Sequence, residues 1–168
     1  MKTLAQRPPA ARCLALLLAF AAVVTAGRGL AAGPTPNFTG TWELAPARST
    51  NLGMMSAMTM TLVIAQTLTE LTIHETTVFQ DQRSERVLRY DLAGKPVSNA
   101  AAMGGVNETV AAWQDGKLVV TWTGEGAIAG TKVVRTETRA LAADGASMTV
   151  ESVRGTSRPV VMVFERRK

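Results

Sequence analysis

Short segments in which apolar and polar residues alternate, separated by turn-forming residues, fill the chain after residue 33. This alternation is typical of a β-strand with one buried face. No segment after residue 33 has a convincing helical periodicity. Many short strands with tight turns predict an all-β fold of about eight to ten strands, either an up-and-down barrel or a sandwich.

Two Asp-Gly pairs give the clearest hairpins, because Asp-Gly favours a two-residue turn between antiparallel strands. With Asp115-Gly116 in such a turn, Trp113 lies opposite Leu118 on an apolar face. Asp144-Gly145 joins the two segments on either side of it in the same way. These connections join neighbouring strands, and closure removes exposed sheet edges, so we predict a single antiparallel up-and-down barrel rather than a sandwich.

Residues 37–44, with the sequence Asn-Phe-Thr-Gly-Thr-Trp-Glu-Leu, are predicted to form the first strand. Gly40 falls on the same face as Phe38 and Trp42, where the missing side chain allows another group to approach closely. This Gly-x-Trp motif resembles the first motif of the lipocalins. The Phe-x-Gly-x-Trp strand is more similar still to small bacterial secreted proteins described as lipocalin-like, which are calycin-type barrels.

The resemblance implies a specific arrangement at the barrel floor. In lipocalins the motif tryptophan plugs the floor, and a basic residue of the closing strand lies over its ring in a cation–π contact. By that resemblance Trp42 would meet Arg166 or Arg167. The second lipocalin motif, Thr-Asp-Tyr, is absent from the chain.

The N-terminal residues are predicted to be a signal peptide. Basic residues precede an almost wholly apolar run over 14–24, and small residues follow. Cleavage could follow Ala26 or Ala32, and we favour Ala32, which makes 1–32 the signal peptide, 33–36 a flexible leader and 37–168 the barrel domain. A retained membrane anchor is the alternative, but the apolar run is short for a span of about 20 residues. We expect a periplasmic or secreted protein.

Removal of residues 1–32 changes the charge and the cysteine content. Four of the 18 Lys and Arg residues leave and all 13 acidic residues stay, so the mature chain carries 14 basic residues and a net charge of +1. This balance argues against nucleic-acid binding. The single cysteine, Cys13, also leaves, which excludes disulfides, thiolate metal sites and a cysteine nucleophile from the mature domain. We expect a monomer with no membrane span once the signal peptide is removed.

No catalytic or metal-binding pattern is recognisable. His74 is the sole histidine, and strand alternation directs it away from Glu75, so the two cannot bind one metal from adjacent positions. The chain contains no Gly-x-Ser-x-Gly motif and no phosphate-binding loop that leads into a helix. We therefore predict no metal, no cofactor and no enzymatic activity.

Charged residues at inward positions of the barrel are the remaining candidates, because interior charges must be paired or meet a ligand. If Leu71 and Ile73 point inward, so does Glu75. In residues 131–141 either the face of Arg135, Glu137 and Arg139 or the face of the small alternating residues is the inner one, and the pattern leaves both open. Residues 80–85 are predicted to form a hairpin loop before a strand over 87–92, and residues 97–105 a loop or weak strand.

Three functions follow. The favoured hypothesis is a binding protein for a small apolar or amphiphilic molecule, since barrels of about eight strands can hold one ligand. Fatty-acid-binding proteins, another barrel family, use interior arginine to hold a carboxylate. A packed structural protein of the cell envelope is the alternative, and an enzyme would be favoured only if Glu75 and Arg139 converged in a cavity. The candidate ligand-binding residues are Trp42, Met60, Leu62, Ile73, Glu75, Tyr90, Trp122 and Arg139.

Overall fold

The computed structural model describes residues 35–101 and 104–168, so the predicted signal peptide lies outside the described residues. The ten strands are β1 Gly40–Leu44, β2 Thr59–Gln66, β3 Glu70–Phe79, β4 Gln82–Asp91, β5 Val97–Ala100, β6 Val106–Gln114, β7 Lys117–Glu125, β8 Lys132–Leu141, β9 Ser147–Arg154 and β10 Val160–Arg166. Two short 3-10 turns, Pro46–Arg48 and Gly53–Ala57, lie between β1 and β2. Within the described ranges there is no α-helix, and no helix is long and apolar enough to cross a membrane.

All ten strands form one antiparallel sheet in the order β4-β3-β2-β1-β10-β9-β8-β7-β6-β5. β1 pairs with β2 on one side and with β10 on the other, so the first and last strands are neighbours in the middle of the sheet. The sheet curls into a nearly closed up-and-down barrel, which confirms the predicted fold class. We call the end with the β3–β4 turn and residues 155–159 the upper end, and the end with residues 35–39 the lower end.

The barrel closes between β4 and β5 through one side chain rather than through a strand ladder. The Asn99 side-chain oxygen accepts the Arg89 backbone N–H at 2.8 Å, and its amide nitrogen donates to the Arg89 carbonyl at 2.7 Å. The same nitrogen donates to the Thr109 hydroxyl at 2.7 Å, which holds the amide in place. Because Asn99 is buried, these bonds satisfy polar groups that water cannot reach.

The predicted hairpin registers are confirmed, with Trp113 opposite Leu118 and β8 paired with β9 across Asp144-Gly145. The prediction of a hairpin loop over 80–85 is wrong: β3 continues to Phe79 and β4 starts at Gln82. Gln80 and Asp81 alone make the turn, both with positive φ, and such a turn matches the twist of long paired strands. The polar composition that suggested a loop belongs to strand ends at the mouth of the barrel.

The predicted contact between Trp42 and a closing-strand arginine is confirmed for Arg166, whose guanidinium carbon lies 4.2 Å from the centre of the fully buried ring. Arg166 Nε donates to the Gly145 carbonyl at 2.9 Å and Nη1 donates to the Thr39 carbonyl at 2.6 Å. Arg167 instead forms an ion pair with Glu43 on the outer surface. These contacts close the lower end of the barrel.

Gly40 makes this closure possible. A Cβ atom at Gly40 would lie 2.5 Å from Nη1 of Arg166 and 3.8 Å from Nε1 of Trp42. Its φ of +141° is also a conformation that residues with a side chain rarely adopt. The glycine of the first-strand motif is therefore required both by its backbone conformation and by the guanidinium that lies over it.

We expect Gly40→Ala to lower the free energy of unfolding by about 2 kcal/mol or more, because it adds backbone strain and displaces a guanidinium held by two carbonyls. Urea denaturation followed by tryptophan fluorescence measures this. Gly116→Ala is the matched control: its φ is +73°, but no atom lies within 4 Å of the added Cβ. It should cost about 1 kcal/mol. Equal losses in the two variants would contradict a role for Gly40 in seating Arg166.

Candidate ligand-binding cavity

A cavity of about 770 Å³ occupies the upper part of the barrel. It reaches the surface beside the 3-10 turn over 53–57, the β3–β4 turn and residues 155–159. Its apolar wall comes from the inward positions of β2 and β10 and from the segment between β1 and β2. The apolar residues of this wall are Met55, Met58, Met60, Leu62, Val160, Met162 and Phe164. Methionine side chains adapt readily to irregular apolar ligands, and four of these seven residues are methionine.

Charged and hydroxyl side chains from β3, β4, β8 and β9 form the polar wall. Glu75 of β3 lies opposite Arg86 of β4 in the strand register. Arg86 Nε donates to one Glu75 carboxylate oxygen at 2.7 Å and Nη2 to the other at 2.9 Å. Burial lowers the pKa of Arg86, but the hydrogen bond and charge of Glu75 outweigh it, so the pKa rises above its ordinary value. This ion pair lies on the cavity wall, and both oxygens of its carboxylate already accept hydrogen bonds from Arg86.

Glu137 of β8 joins two further arginines. Arg135 Nη2 lies 3.1 Å from one Glu137 oxygen, and Arg139 Nη2 donates to the other at 3.0 Å. The inner face of residues 131–141, which the sequence left open, is therefore the charged one, and Val134 on the opposite face is 50% exposed. The arrangement is stable because the two guanidinium groups compensate the buried carboxylate.

Aromatic rings lie beneath both arginines. The Arg135 guanidinium carbon lies 4.6 Å from the centre of the Trp122 ring, and that of Arg139 lies 5.9 Å from the centre of the Tyr90 ring. Tyr90 and Trp122 contact each other edge-to-face at 5.9 Å. The aromatic faces support the cations from below, and Glu137 holds them from the side.

Several polar atoms of this group are buried and have no hydrogen-bond partner among the described residues. They are the Tyr90 hydroxyl, Nε1 of Trp122, Nε of Arg135, and Nε and Nη1 of Arg139. Every one of these atoms can donate a hydrogen bond. Buried donors are usually satisfied, and those of Arg135 and Arg139 belong to residues that line the cavity. An anionic group bound beside these two arginines would be the fitting acceptor.

The protonation states strengthen this interpretation. Burial raises the pKa of the Tyr90 hydroxyl well above its ordinary value, more than the charge of Arg139 lowers it. Burial lowers the pKa of Arg139, but neighbouring groups, among them the charge and hydrogen bond of Glu137, raise it more, so the guanidinium stays ionised. Tyr90 is consequently a neutral donor and Arg139 a permanent cation at physiological pH.

The structure separates the predicted site residues into two groups. Met60, Leu62, Glu75 and Arg139 line the cavity. The others are buried in the hydrophobic core and are not part of the cavity lining: Trp42, Ile73, Tyr90 and Trp122. No observation of a ligand tests these residues, so their contact with one stays a prediction.

Sequence reasoning missed Arg86, Arg154 and Met162 as cavity residues. Arg86 shares its face with Leu88 and Tyr90, and the alternation would have revealed it had the strand been extended before residue 87. Arg154 lies on the same face of β9 as the buried Met148 and Val150, so the alternation of that strand would also have placed it inward. Met162 shares the inward face of β10 with Phe164, which the alternation alone did not distinguish from the opposite face.

The structure also locates the residues considered for metal binding and catalysis. Within residues 35–101 and 104–168 no three His, Cys, Asp or Glu side chains lie close enough together to hold a metal ion. His74 is exposed on the outer surface. Glu75 and Arg139 do line the same cavity, which is the arrangement that an enzyme would require. Both oxygens of Glu75, however, already accept hydrogen bonds from Arg86.

Comparison with known proteins supports the fold. No protein-family model and no curated protein matches the chain. A mutant of the fluorescent protein UnaG superposes with a TM-score of 0.61 at 18% identity, over 78% of this chain and 96% of that one. A Schistosoma mansoni fatty acid binding protein in complex with arachidonic acid gives 0.61 at 16% identity, over 81% and 100%. The REP1-NXSQ fatty acid transporter gives 0.59 at 14% identity, over 77% and 96%. The chain thus shares the overall barrel fold of these three solved structures.

The environment of Tyr90 predicts a pH dependence of stability. Its folded pKa is raised, so the folded protein retains a proton that the unfolded chain releases above about pH 10, and stability should fall as the pH rises beyond that value. Because Tyr90 is the only tyrosine, the ultraviolet absorbance of tyrosinate reports on it alone. We expect tyrosinate to appear together with the loss of β-sheet circular dichroism. If tyrosinate appeared near pH 10 while the β-sheet circular dichroism was unchanged, the burial of the Tyr90 hydroxyl would be contradicted.

Proposed function

We propose that the chain is an exported, non-enzymatic and monomeric binding protein that holds one small amphiphilic molecule with a carboxylate in its barrel. The observation that carries this proposal is the cavity, in which an apolar wall faces arginines with unpartnered donors. The volume of about 770 Å³ lies within the usual range of about 300–1,000 Å³ for sites of small molecules. The alternative of a fully packed structural barrel requires an interior without such space.

The apolar body of the ligand would lie against the methionine-rich wall of β2 and β10. Burying apolar surface there supplies most of the affinity, at roughly 25 cal/mol per Å² removed from water. Met55 and Met58 lie at the mouth, between β1 and the start of β2, where flexible side chains can adjust to ligands of different shape.

The carboxylate would bind at Arg139. Glu137 occupies only Nη2 of this guanidinium, and the buried Nε and Nη1 have no partner among the described residues. A carboxylate accepting these donors makes the charge-assisted bonds that are among the stronger hydrogen bonds in proteins. The Schistosoma mansoni protein of the same fold was solved with arachidonic acid, a fatty acid, which supports the same chemical class here.

The ion pairs of Glu75 and Glu137 support a function in binding rather than in catalysis. Both oxygens of Glu75 accept bonds from Arg86, and both oxygens of Glu137 lie in ion pairs. A general base must be able to reach a proton of the bound molecule, and every oxygen of these two carboxylates already lies against a guanidinium. The arrangement is therefore better suited to hold an anion than to transfer a proton.

Export rests on residues 1–32 alone. Cell fractionation followed by N-terminal sequencing tests it, and we expect a mature protein in the envelope or medium that begins at Gly33. A chain that keeps Met1 and stays in the cytoplasm would contradict export without affecting the proposal of ligand binding.

Native mass spectrometry of the protein, purified gently from the compartment in which it accumulates, tests binding directly. We expect an adduct of a few hundred daltons that dissociates on mild denaturation. A bare mass, together with no uptake of a fluorescent fatty acid, would contradict the binding function and favour the structural barrel.

Arg139→Gln should weaken dodecanoate binding about tenfold or more, because it removes the cation while keeping most of the side-chain volume. Isothermal titration measures this, with dodecanol as the uncharged probe whose affinity should change far less. Arg89→Gln, on the exposed outer face of β4, is the matched control and should bind dodecanoate as the unmodified protein does. Equal losses for dodecanoate and dodecanol would indicate a damaged barrel rather than a lost carboxylate contact.

A further inference from the structure

Two arginines lie directly opposite each other on the inner face of the barrel, near its upper end. The antiparallel register of β8 and β9 pairs Arg135 with Arg154, and both side chains line the cavity. Like charges at directly opposed positions of a sheet repel each other. Arg158, in the connection from β9 to β10, also lines the cavity at this level. Three guanidinium groups thus surround one side of the mouth.

The acidic residues of the cavity do not compensate this group. Within the described ranges, neither Arg154 nor Arg158 has a carboxylate within 4.0 Å, and Arg135 shares Glu137 with Arg139. Among the other acids of the lining, Glu75 is held by Arg86 and Glu85 pairs with Arg83 on the rim. Five arginines line the cavity, and Glu75 and Glu137 compensate two of them, so three positive charges remain. One is shared by Arg135 and Arg139 around Glu137, and the other two lie at the mouth on Arg154 and Arg158.

We propose that Arg135, Arg154 and Arg158 form an outer oxyanion subsite, and that the ligand is a bipolar amphiphile with an acidic group at each end of an apolar body. The proposal rests on the proposed function, since the inner acid is the carboxylate at Arg139. The outer group is an oxyanion, either a carboxylate or a phosphate-type group. The exposed guanidinium groups of Arg154 and Arg158, both of which line the cavity, are the donors that would hold it.

The geometry of β8 sets the distance between the two subsites. Arg135 and Arg139 are four residues apart on one strand, which separates their Cα atoms by about 13 Å. The apolar residues of β2 and β10 lie on the opposite side of the cavity, between the inner subsite at Arg139 and the outer subsite at Arg135. A chain of about ten methylene groups can extend along this apolar wall from the inner to the outer subsite.

Three probes that share ten methylene groups test the proposal by isothermal titration with the full mature chain. Dodecanoate has one acid, dodecanedioate has a second carboxylate, and 11-phosphonoundecanoate has a phosphonate in its place. We expect dodecanedioate or the phosphonate to bind about tenfold more tightly than dodecanoate at low salt. The preference should shrink at high salt because the mouth is exposed to solvent. Whichever acid binds more tightly identifies the outer group as planar or tetrahedral.

Arg154→Gln distinguishes the subsite from a general charge effect. It should abolish most of the preference for the two-acid probes over dodecanoate, so the affinity ratio falls by about tenfold. Arg89→Gln, on the outside of β4, removes one positive charge without approaching the cavity and should keep the ratio of the unmodified protein. An equal fall of the ratio in both variants would overturn the subsite, because net charge alone would then explain the preference.

The outcomes separate this inference from the proposed function. If dodecanoate binds and neither two-acid probe binds more tightly than it, the second acid gains nothing at the mouth and the outer subsite is wrong. If none of the three probes binds, the proposed function itself fails. Tight binding of the two-acid probes that Arg154→Gln weakens selectively would establish both subsites.

Discussion

The ion pairs of Glu137 with Arg135 and Arg139 determine the character of the whole cavity. A single carboxylate holds two guanidinium groups, and each of these lies over an aromatic ring of the core. Without the carboxylate, the neighbouring cations of Arg135 and Arg139 would repel each other, and without the arginines the buried anion would be unstable. Glu137 uses only part of each guanidinium, and Nε of Arg135 and Nε and Nη1 of Arg139 have no partner among the described residues.

The barrel has a sealed lower end and an accessible upper end, and different interactions produce each. Trp42 and Arg166 close the lower end, where Gly40 leaves room for the guanidinium. Ladder hydrogen bonds close the sheet everywhere except between β4 and β5, where Asn99 joins the two strands. Among the described residues, the cavity opens at the upper end, where side chains from β2, β10, β8 and β9 line it.

Much of the fold could be predicted from local patterns. Asp115-Gly116 and Asp144-Gly145 specified two hairpin registers, because the turn type sets which residues face each other. The error over 80–85 also has a local cause. Strand ends at a barrel mouth are solvated on both faces, so their composition resembles that of a loop, and only pairing with β3 makes them strand. That error removed Arg86, and with it the ion pair of Glu75, from the predicted site.

The sequence by itself determined an all-β chain of alternating strands, the hairpin turns and the motif that contains Gly40 and Trp42, because these depend on residues close together along the chain. Only the tertiary structure decided which face of β8 points inward. Both faces of that strand are half-apolar, and the choice depends on partners distant in sequence: Tyr90 under Arg139, and Trp122 under Arg135. The cavity was likewise decided by the tertiary structure, since its volume depends on how side chains from strands on opposite sides of the barrel fill the space between them.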